Sequence, residues 1–257
     1  MFDLVIQGNL VAESPSFISY YAKETIFNKV ILSTWEGEKD ELIQSIRRDC
    51  PNVEIIQSVK PYAGMGNRNL QICSSLAGVK EAESDYVIKV RSDMLIDFKL
   101  IYNFFFDNWK ENNIYTLSVY SKYAFHPRDH VFIGKREDLI RLFDIPYDLT
   151  PISSYPQSIH SIVRTETYIG VHYYKHLSDD IEKFIEKPYL YLTDSSSCRQ
   201  EALSRYYSFI LNRQGFLPLP MIPIFWPKYY PNGYPFLYLK KAEGEVYHED
   251  LQSGMWL

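Results

Sequence analysis

The chain has 257 residues and a formal net charge of −5, with 46% hydrophobic and 23% charged residues. Such a chain can bury a sizeable core, which argues against global disorder and allows one large α/β domain with an extension. The acidic balance and the lack of a long basic run disfavour nucleic acid as a partner. Three widely spaced cysteines without a C-x-x-C pair indicate a reducing compartment.

The sequence contains no apolar run long enough to span a bilayer, and its first residues lead directly into a predicted strand. A charged segment followed by a long apolar one, as in secretory signals, is not visible. We therefore expect a cytoplasmic protein without a transmembrane segment. The membrane contact that fits this expectation is peripheral association at the inner face of the inner membrane.

The first third of the chain alternates short apolar runs with stretches of helical spacing. The predicted strands are 4–6, 29–34, 53–59 and 86–90. The predicted helices are 16–27, 40–49 and a third that Asn67 can cap and that ends near Ser84. This order predicts a mainly parallel, doubly wound sheet flanked by helices.

The second half of the chain is less regular. The predicted strands are 114–120 and 130–134, and the predicted helices are 135–143, 166–176 and 200–212. The stretch 217–236 is dense in proline and aromatic residues, which indicates a packed cover over the core or a surface that stacks on sugars. We therefore expect the chain to end in a helical and aromatic C-terminal extension.

Polar residues follow three of the predicted strands. They are Gln7-Gly8, Ser33-Thr34-Trp35 and Arg91-Ser92-Asp93. In parallel sheets of this kind, ligands bind beyond the carboxyl ends of the strands. The topology alone therefore predicts a binding site at the edge of the sheet where these residues meet.

Lys89, Arg91 and Asp93 alternate along the fourth strand and therefore share one face. Cations inside a central strand are costly unless they meet anions. A diphosphate at the strand end would supply that anion, and Asp93 would then ligate a divalent ion that bridges the phosphates. The competing interpretation is an ion pair, between Asp93 and one of the two cations, that caps the sheet.

Three segments carry a family resemblance. They are Asn67-Arg68-Asn69, Ser75-Leu76-Ala77-Gly78-Val79-Lys80 and Tyr86-Val87-Ile88-Lys89-Val90-Arg91-Ser92-Asp93. They resemble the WavE family of bacterial lipopolysaccharide-synthesis proteins. Further pieces match in the same order, from Val5-Ile6-Gln7-Gly8 to Thr165-Glu166-Thr167-Tyr168-Ile169. The resemblance covers about residues 3 to 177, and the ordered set is more specific than any one piece.

The resemblance implies a GT-A-like glycosyltransferase with a Rossmann-like sheet, acting on a lipopolysaccharide or capsule precursor. It implies a catalytic domain at 1–177, with a nucleotide-sugar half to about 95 and an acceptor half from about 96, and an extension at 178–257 packed on it. The donor would be a nucleotide sugar and the acceptor a glycan or lipid-linked glycan. Arg91 stands where the Asp-x-Asp motif has its first carboxylate. That departure weakens the expectation of Mn²⁺ or Mg²⁺ on Asp93, because arginine can itself clamp phosphate.

With the resemblance, we expect the donor site to comprise residues at the strand ends and at the start of the third helix. They are Gln7, Gly8, Thr34, Trp35, Arg68, Lys89, Arg91, Ser92 and Asp93. Arg68 follows a glycine-containing loop at a helix N-terminus, which suits a phosphate. The competing interpretation of Arg68 is an ordinary surface arginine.

Inverting transfer of a sugar needs a base beside the acceptor hydroxyl. Glu166 is the first candidate and Asp129 the second. A carboxylate that begins a helix also stabilises the helix dipole, so a structural role of Glu166 competes with the catalytic one. His126 and Tyr168 are the expected acceptor-binding residues, with a solvated turn as the alternative interpretation of the loop around His126.

Two other functions fit the same fold class. A nucleotidyltransferase that makes an activated sugar usually carries a Gly-rich, basic loop after its first strand, and Gly8-Asn9-Leu10-Val11-Ala12 is neither. A non-catalytic glycan-binding or assembly protein would keep the fold without the chemistry. We therefore rank glycosyl transfer first.

Overall fold

The computed structural model describes residues 1–151, 153, 165–186, 197–227, 237–238 and 244–253. Its strands are β1 (Phe2–Gln7), β2 (Phe27–Trp35), β3 (Val53–Ser58), β4 (Tyr86–Arg91), β5 (Leu95–Ile96), β6 (Asn113–Thr116), β7 (Val119–Tyr120), β8 (Val131–Lys135), β9 (Gly215–Pro218), β10 (Pro223–Phe225), β11 (Leu237–Tyr238) and β12 (Glu245–Val246). Its helices are α1 (Ser14–Tyr21), α2 (Asp40–Asp49), α3 (Arg68–Glu81), α4 (Phe98–Asn108), α5 (Arg136–Phe143), α6 (Thr165–Lys175), α7 (Glu182–Glu186), α8 (Ser197–Leu211) and α9 (His248–Ser253).

Seven strands form the central sheet, in the order β3-β2-β1-β4-β8-β6-β9. β3, β2, β1 and β4 are mutually parallel, β8 runs antiparallel between β4 and β6, and β9 is parallel to β6. The first four strands are joined by α1, α2 and α3, since parallel strands need a crossover connection. The prediction of a mainly parallel sheet flanked by helices is confirmed.

The central strands are buried on both faces, so their side chains contribute to two layers of core. In β1, Val5 packs in the layer that contains the apolar face of α3, whereas Leu4 and Ile6 pack in the layer that contains α1 and α2. α3 approaches the sheet closely at Gly78, where an added Cβ would lie 2.4 Å from Cγ1 of Val5. Because α3 follows β3, its N-terminus lies at the carboxyl edge of the parallel strands.

Two local predictions in the first third are wrong. The helix predicted at 16–27 ends at Tyr21, and Phe27 already begins β2 because it pairs with Phe2 in the parallel ladder. Asn67 does not cap α3 with its side chain. It adopts a left-handed conformation with φ of 62°, which turns the chain into the helix by backbone geometry instead.

Helix α4 is absent from the sequence prediction. Ile101 and Phe105 pack in the core, but Leu100 and Phe106 are about half exposed, so the segment lacks a clear amphipathic pattern. The predicted strand 114–120 splits into β6, in the central sheet, and β7, which pairs with β12. In the second place tertiary pairing overrides the local pattern, whereas the core residues of α4, which are Phe98, Ile101 and Phe105, do lie at helical spacing.

The C-terminal strands are joined to earlier parts of the chain. β9 extends the central sheet beside β6, β10 pairs with β5, and β12 pairs with β7. The helix predicted at 200–212 is confirmed as α8, which begins three residues earlier. The division of the chain at residue 177 stays a prediction. Across the described residues, no helix combines the length and apolarity that crossing a membrane requires.

Candidate functional site

An open cleft of about 450 Å³ lies at the carboxyl edge of the parallel strands. The ends of β1, β2 and β4 form one side of it, and the starts of α3 and α6 form the other. The lining residues are Gln7, Gly8, Asn9, Val11, Trp35, Gly66, Asn67, Leu70, Gln71, Arg91, Ser92, Asp93, Asp129, Thr165 and Glu166. The cleft thus lies at the edge of the sheet that the sequence singles out.

Strand register brings the polar strand ends together. Gln7 at the end of β1 stands opposite Ser33 of β2 on one side and Arg91 of β4 on the other. The chain then turns at Gly8, whose φ of 115° favours glycine. Oγ1 of Thr34 is buried behind this turn and donates to the carbonyl oxygen of Gly8 at 2.9 Å. Thr34 therefore supports the cleft without lining it.

Arg91, Asp93 and Trp226 form a compact group at the end of β4. Nε and Nη2 of Arg91 donate to the two carboxylate oxygens of Asp93 at 2.9 and 2.8 Å. Nε1 of Trp226 donates to Oδ2 of Asp93 at 3.1 Å, and the guanidinium carbon of Arg91 lies 5.1 Å from the centre of a Trp226 ring. The ion pair that was the competing interpretation is therefore present, and it lines the cleft.

These contacts fix the charges of both partners. Burial by itself favours the neutral form of each, but the hydrogen bonds with Asp93 raise the pKa of Arg91 above its ordinary value. Burial likewise raises the pKa of Asp93, and the Arg91 guanidinium more than offsets it, so the pKa of Asp93 lies below its usual range. Arg91 is a permanent cation in the cleft wall, and Asp93 is a permanent anion.

Lys89 lies two residues before Arg91 in β4 and is fully buried. Its Nζ donates to the carbonyl oxygen of Asp129 at 2.7 Å and lies 5.4 Å from the centre of the Phe132 ring. Burial lowers the pKa of Lys89 to about 8, against the attraction of the Asp129 carboxylate. Lys89 does not line the cleft, so it acts on a ligand there only through its charge.

Asp129 precedes β8 and lines the cleft beside Arg91. Burial raises the pKa of Asp129, but the surrounding positive charges lower it further, so the net shift is downward. The neighbouring ring of His130 has Nδ1 at 3.5 Å from Oδ1 of Asp129. Burial lowers the pKa of His130, which leaves that ring neutral near pH 7. The charge of His130 contributes most to lowering the pKa of Asp129, followed by those of Arg91 and Lys89, and of these Arg91 and Lys89 remain charged near pH 7.

Glu166 reaches the cleft from the opposite wall. Oγ1 of Thr165 donates to the carbonyl oxygen of Gly66 at 2.8 Å, which fastens the start of α6 to the loop before α3. A Cβ added at Gly66 would lie 3.0 Å from this Oγ1, so the contact leaves little room for a side chain. Glu166, in the first turn of α6, then lines the cleft together with Asp129. Their catalytic roles stay predictions.

The charges around the cleft do not cancel. Lys89 and Arg91 both interact electrostatically with three carboxylates, those of Asp93, Asp129 and Glu166. Two cations and three anions leave one net negative charge when all five groups are ionised. An anionic ligand at Arg91 therefore meets repulsion as well as attraction.

Arg68 is placed differently from the sequence prediction. Its side chain is fully buried, so the competing interpretation as a surface arginine is wrong. Nη1 lies 3.1 Å from Oδ2 of Asp148, and Nε donates to the carbonyl oxygen of Met65 at 3.0 Å. The guanidinium carbon also lies 4.8 Å from the centre of the Tyr168 ring. The cleft that Arg91 lines does not include Arg68, whose donors are turned to the protein interior.

The two predicted acceptor residues also lie off the cleft wall. His126 is 1% exposed, and its Nδ1 is 2.8 Å from Oγ1 of Thr167, so the loop around it is not a solvated turn. Tyr168 donates its hydroxyl to the carbonyl oxygen of Pro146 at 3.0 Å. Neither residue lines the cleft in this conformation, and their acceptor role stays a prediction.

The predicted metal ligand is already engaged. Both oxygens of Asp93 accept hydrogen bonds from Arg91 and Trp226. Within the described ranges, no group of three or more His, Cys, Asp or Glu side chains is arranged to hold a metal ion. As arranged, these residues do not fit Mn²⁺ or Mg²⁺.

Sequence reasoning missed several residues of the cleft. Asn9 and Val11 follow β1, and Leu70 and Gln71 lie on α3. The spacing of Asn67, Leu70 and Gln71 places them on one face at the start of α3, so helical periodicity was the available signal. Trp226 does not line the cleft but contacts Arg91 and Asp93 in its wall. It carried no such signal, because its contact with Asp93 joins residues 133 positions apart.

Comparison with known families identifies the family of the chain. The family model described as WavE lipopolysaccharide synthesis matches residues 25–183, more than half of the 257 residues. The chain belongs to this family. The resemblance predicted from sequence motifs is thereby confirmed, and the matched range includes Arg91, Asp129 and Glu166 but not Trp226. No protein of curated function matches the sequence.

Solved structures of two enzyme classes are similar to this chain. TarS (residues 1–349) from S. aureus shares 15% identity at a TM-score of 0.45, covering 81% of this chain and 72% of its own. The galactosyltransferase LgtC, in complex with donor and acceptor sugar analogs, shares 10% sequence identity with this chain at a TM-score of 0.39. The match covers 55% of this chain and 60% of LgtC. A cytidylyltransferase from Leptospira borgpetersenii shares 15% sequence identity at a TM-score of 0.41. The match covers 62% of this chain and 71% of the cytidylyltransferase. At these TM-scores the likenesses do not decide the activity.

Proposed function

We propose that the chain is a glycosyltransferase that moves a sugar from a nucleotide-sugar donor to a hydroxyl of a lipopolysaccharide or capsule precursor. The observation that carries the proposal is the cleft, where Arg91 at a strand end and the carboxylates of Asp129 and Glu166 line one cavity. A departing nucleotide needs positive charge beside its phosphates, and an acceptor hydroxyl needs a base. Membership of the family supports the class of glycan.

The donor is proposed to lie along the carboxyl edge of the sheet. Its base would lie toward Trp35 and its phosphates at Arg91. Asp93 uses two of the five N–H groups of the Arg91 guanidinium and holds the fork in place. The remaining N–H groups are suited to phosphate oxygens. In this proposed placement the anomeric carbon faces Asp129 and Glu166, which line the same cleft.

The transfer is proposed to proceed by direct displacement. The acceptor oxygen bonds to the anomeric carbon, the bond from that carbon to the donor phosphate oxygen breaks, and the acceptor proton passes to a carboxylate. Neighbouring positive charges, first that of His130 and then those of Arg91 and Lys89, lower the pKa of Asp129, which weakens it as a proton acceptor. Glu166 is therefore the proposed base, and Asp129 stays the second candidate.

Two observations bear on whether a divalent ion takes part in the transfer. The oxygens of Asp93 are engaged, which disfavours it as a ligand. The net negative charge of the five groups disfavours a diphosphate that arrives without a cation. No step of the proposed transfer is routed through an ion. If transferase activity survives an excess of chelator, then Mn²⁺ and Mg²⁺ are not required. If the chelator abolishes activity and added Mn²⁺ or Mg²⁺ restores it, then the enzyme requires the metal.

A nucleotidyltransferase is the second candidate from the same fold class. It must hold a nucleoside triphosphate, for which a basic loop after the first strand is usual. In this chain the loop contributes Gly8, Asn9 and Val11 to the cleft and no cation. This composition supports the transfer of a sugar over the transfer of a nucleotide.

The decisive experiment follows the product. The purified chain is incubated with UDP-, GDP-, CMP- and dTDP-sugars, and separately with nucleoside triphosphates plus sugar 1-phosphates. A glycosyltransferase releases nucleotide by slow hydrolysis of one donor. Release of pyrophosphate from a triphosphate would instead establish a nucleotidyltransferase. Ligand-induced thermal stabilisation without either product would establish a binding protein.

A further inference from the structure

A second cavity, of about 160 Å³, lies at the other end of the central sheet from β3. It is lined by residues of β6 and β9, by the end of α4 and by α9. β8 lies between these two strands and β4, and the cavity shares no lining residue with the cleft. Drug-sized ligands occupy pockets of about 300–1,000 Å³, so this smaller cavity suits a single ring-sized group.

Aromatic residues and amides line much of this cavity. Trp109, Tyr115 and His248 contribute to its wall, and the ring centres of Trp109 and Tyr115 are 6.0 Å apart. The Tyr115 hydroxyl donates to the carbonyl oxygen of Asn108, and Nε2 of Gln252 lies 2.9 Å from Nε2 of His248. A sugar ring offers C–H groups to aromatic rings and hydroxyls to amides, so this lining matches the chemistry of a sugar.

Arg213 lines the cavity from the end of α8 and has an unusual backbone conformation. Its φ of 52° lies in the left-handed region, and the N–H of Gln214 donates to the carbonyl oxygen of Phe209 at 2.9 Å, which closes the helix end. Glycine or asparagine usually occupies this position, because a longer side chain is strained there. Strained residues of this kind cluster at ligand-binding sites.

The guanidinium of Arg213 is exposed and makes no hydrogen bond or ion pair with the residues that the structure describes. Burial raises the pKa of Tyr115 to about 12, against the charge of Arg213. Burial lowers the pKa of His248, and the charge of Arg213 lowers it further, so that ring is neutral near pH 7. Lys110 adds a second cation to the lining and Asp107 adds one anion, which leaves one net positive charge.

We propose that this cavity binds a sugar residue that carries an anionic group, with the guanidinium of Arg213 on the anion and the aromatic lining on the ring. The planar guanidinium offers paired N–H groups to a carboxylate or a phosphate. The cavity is a second sugar site, separate from the chemical steps in the cleft. The proposed function enters only as the source of such a sugar, which would be a residue of the glycan away from the point of transfer.

The test uses Arg213→Gly, which removes the guanidinium and suits the left-handed backbone. Arg47→Ala is the matched control, because Arg47 is an exposed arginine in the last turn of α2 and lies outside the cavity. Its side chain also makes no hydrogen bond or ion pair within the described ranges. Dissociation constants are measured by NMR titration for glucuronate, glucose 6-phosphate, glucose and inorganic phosphate.

We expect at least one of the two anionic sugars to bind the unmodified chain at least about tenfold tighter than glucose or inorganic phosphate does. Whichever binds tighter identifies the anion as a carboxylate or a phosphate. Arg213→Gly should weaken that sugar at least about tenfold, and Arg47→Ala should leave its affinity unchanged. Arg213→Gly should also melt at the same temperature or higher, because glycine adopts the left-handed conformation without strain.

Several results would overturn the proposal. Glucose bound as tightly as the anionic sugars would remove the role of charge, and inorganic phosphate bound as tightly would remove the role of the ring. Equal losses in both variants would assign the effect to the net charge of the protein. Unchanged sugar affinity in Arg213→Gly, or no binding of either anionic sugar, would leave Arg213 as a structural residue of the helix end. A failure of the proposed function looks different, because the cleft would then bind no nucleotide while the cavity still binds its sugar.

Discussion

The end of β4 and the start of α3 each hold an arginine paired with an aspartate, and the two pairs differ in access. Arg91 and Asp93 keep 29% and 18% of their side chains exposed and line the cleft. Arg68 and Asp148 keep 0% and 5% and lie inside the protein. An arginine binds a phosphate only if some of its N–H groups remain accessible. Arg91 therefore qualifies as a ligand contact, and Arg68 qualifies as a structural one.

The surroundings of Arg68 explain the enclosure. Asn69, the next residue, donates to the carbonyl oxygen of Asp148 at 2.8 Å and accepts from its backbone N–H at 2.8 Å. The same side chain also donates to the carbonyl oxygen of Tyr62 at 2.9 Å. The start of α3 is thus fastened to the segment around Asp148 by an amide and an ion pair together. This arrangement uses Arg68 to hold one wall of the cleft in position.

The difference between the two arginine–aspartate pairs predicts the largest loss of stability at Arg68 and Asp148. Replacing Arg68 with Ala leaves the carboxylate of Asp148 buried without its guanidinium partner. We expect the free energy of unfolding, measured in urea, to fall by about 3–5 kcal/mol. The double variant Arg68→Met with Asp148→Asn should recover much of that loss, because no uncompensated charge remains. A single variant as stable as the unmodified chain would contradict the structural role.

The next effect concerns catalysis at the open side. Glu166→Gln keeps the shape of the side chain but cannot take the acceptor proton. We expect kcat for glycosyl transfer to fall at least about 10²-fold with nucleotide affinity nearly unchanged. Asp129→Asn is the comparison variant, and it should lower kcat less than Glu166→Gln does. If the Asp129 variant loses more, then the two carboxylates exchange roles; if both turn over normally, the base lies elsewhere.

The same substitution at Arg91 tests the contrast with Arg68 directly. Arg91→Ala should weaken nucleotide binding by about 1.5–3 kcal/mol, the range for a hydrogen bond to a charged group. Its effect on unfolding should be smaller than that of Arg68→Ala, because Arg91 and Asp93 keep more contact with water. Calorimetric titration and urea unfolding of both variants test the pattern. Loss of stability without loss of affinity at Arg91 would reverse the assignment.

The smallest expected effect is at Trp226. Trp226→Phe keeps an aromatic face beside the Arg91 guanidinium but removes the N–H that holds Asp93. We expect nucleotide affinity to fall by about 0.5–1.5 kcal/mol. Trp226→Leu removes the aromatic face as well and should lose more. Equal affinities in both variants would mean that Arg91 is oriented by Asp93 alone.

Much of the site was predictable from local sequence. The apolar runs that end in Gln7, Trp35 and Arg91 are strands, and their common edge forms the cleft. Asp129 and Glu166 also reach it, although the sequence justified them only through the family resemblance. Gln71 was missed although helical spacing places it on one face with Asn67 and Leu70, because the local pattern does not show which face of α3 meets the cleft.

The sequence by itself determined the alternation of strands and helices, and with it a parallel sheet whose polar strand ends share one edge. Only the tertiary structure decided which of those polar groups face a ligand. Arg68 and Arg91 have the same chemistry, but one meets Asp148 in the interior and the other meets Trp226 at the cleft. Partners so distant along the chain leave no mark on the local pattern. Access to water and to a ligand depends on the packing that brings them together.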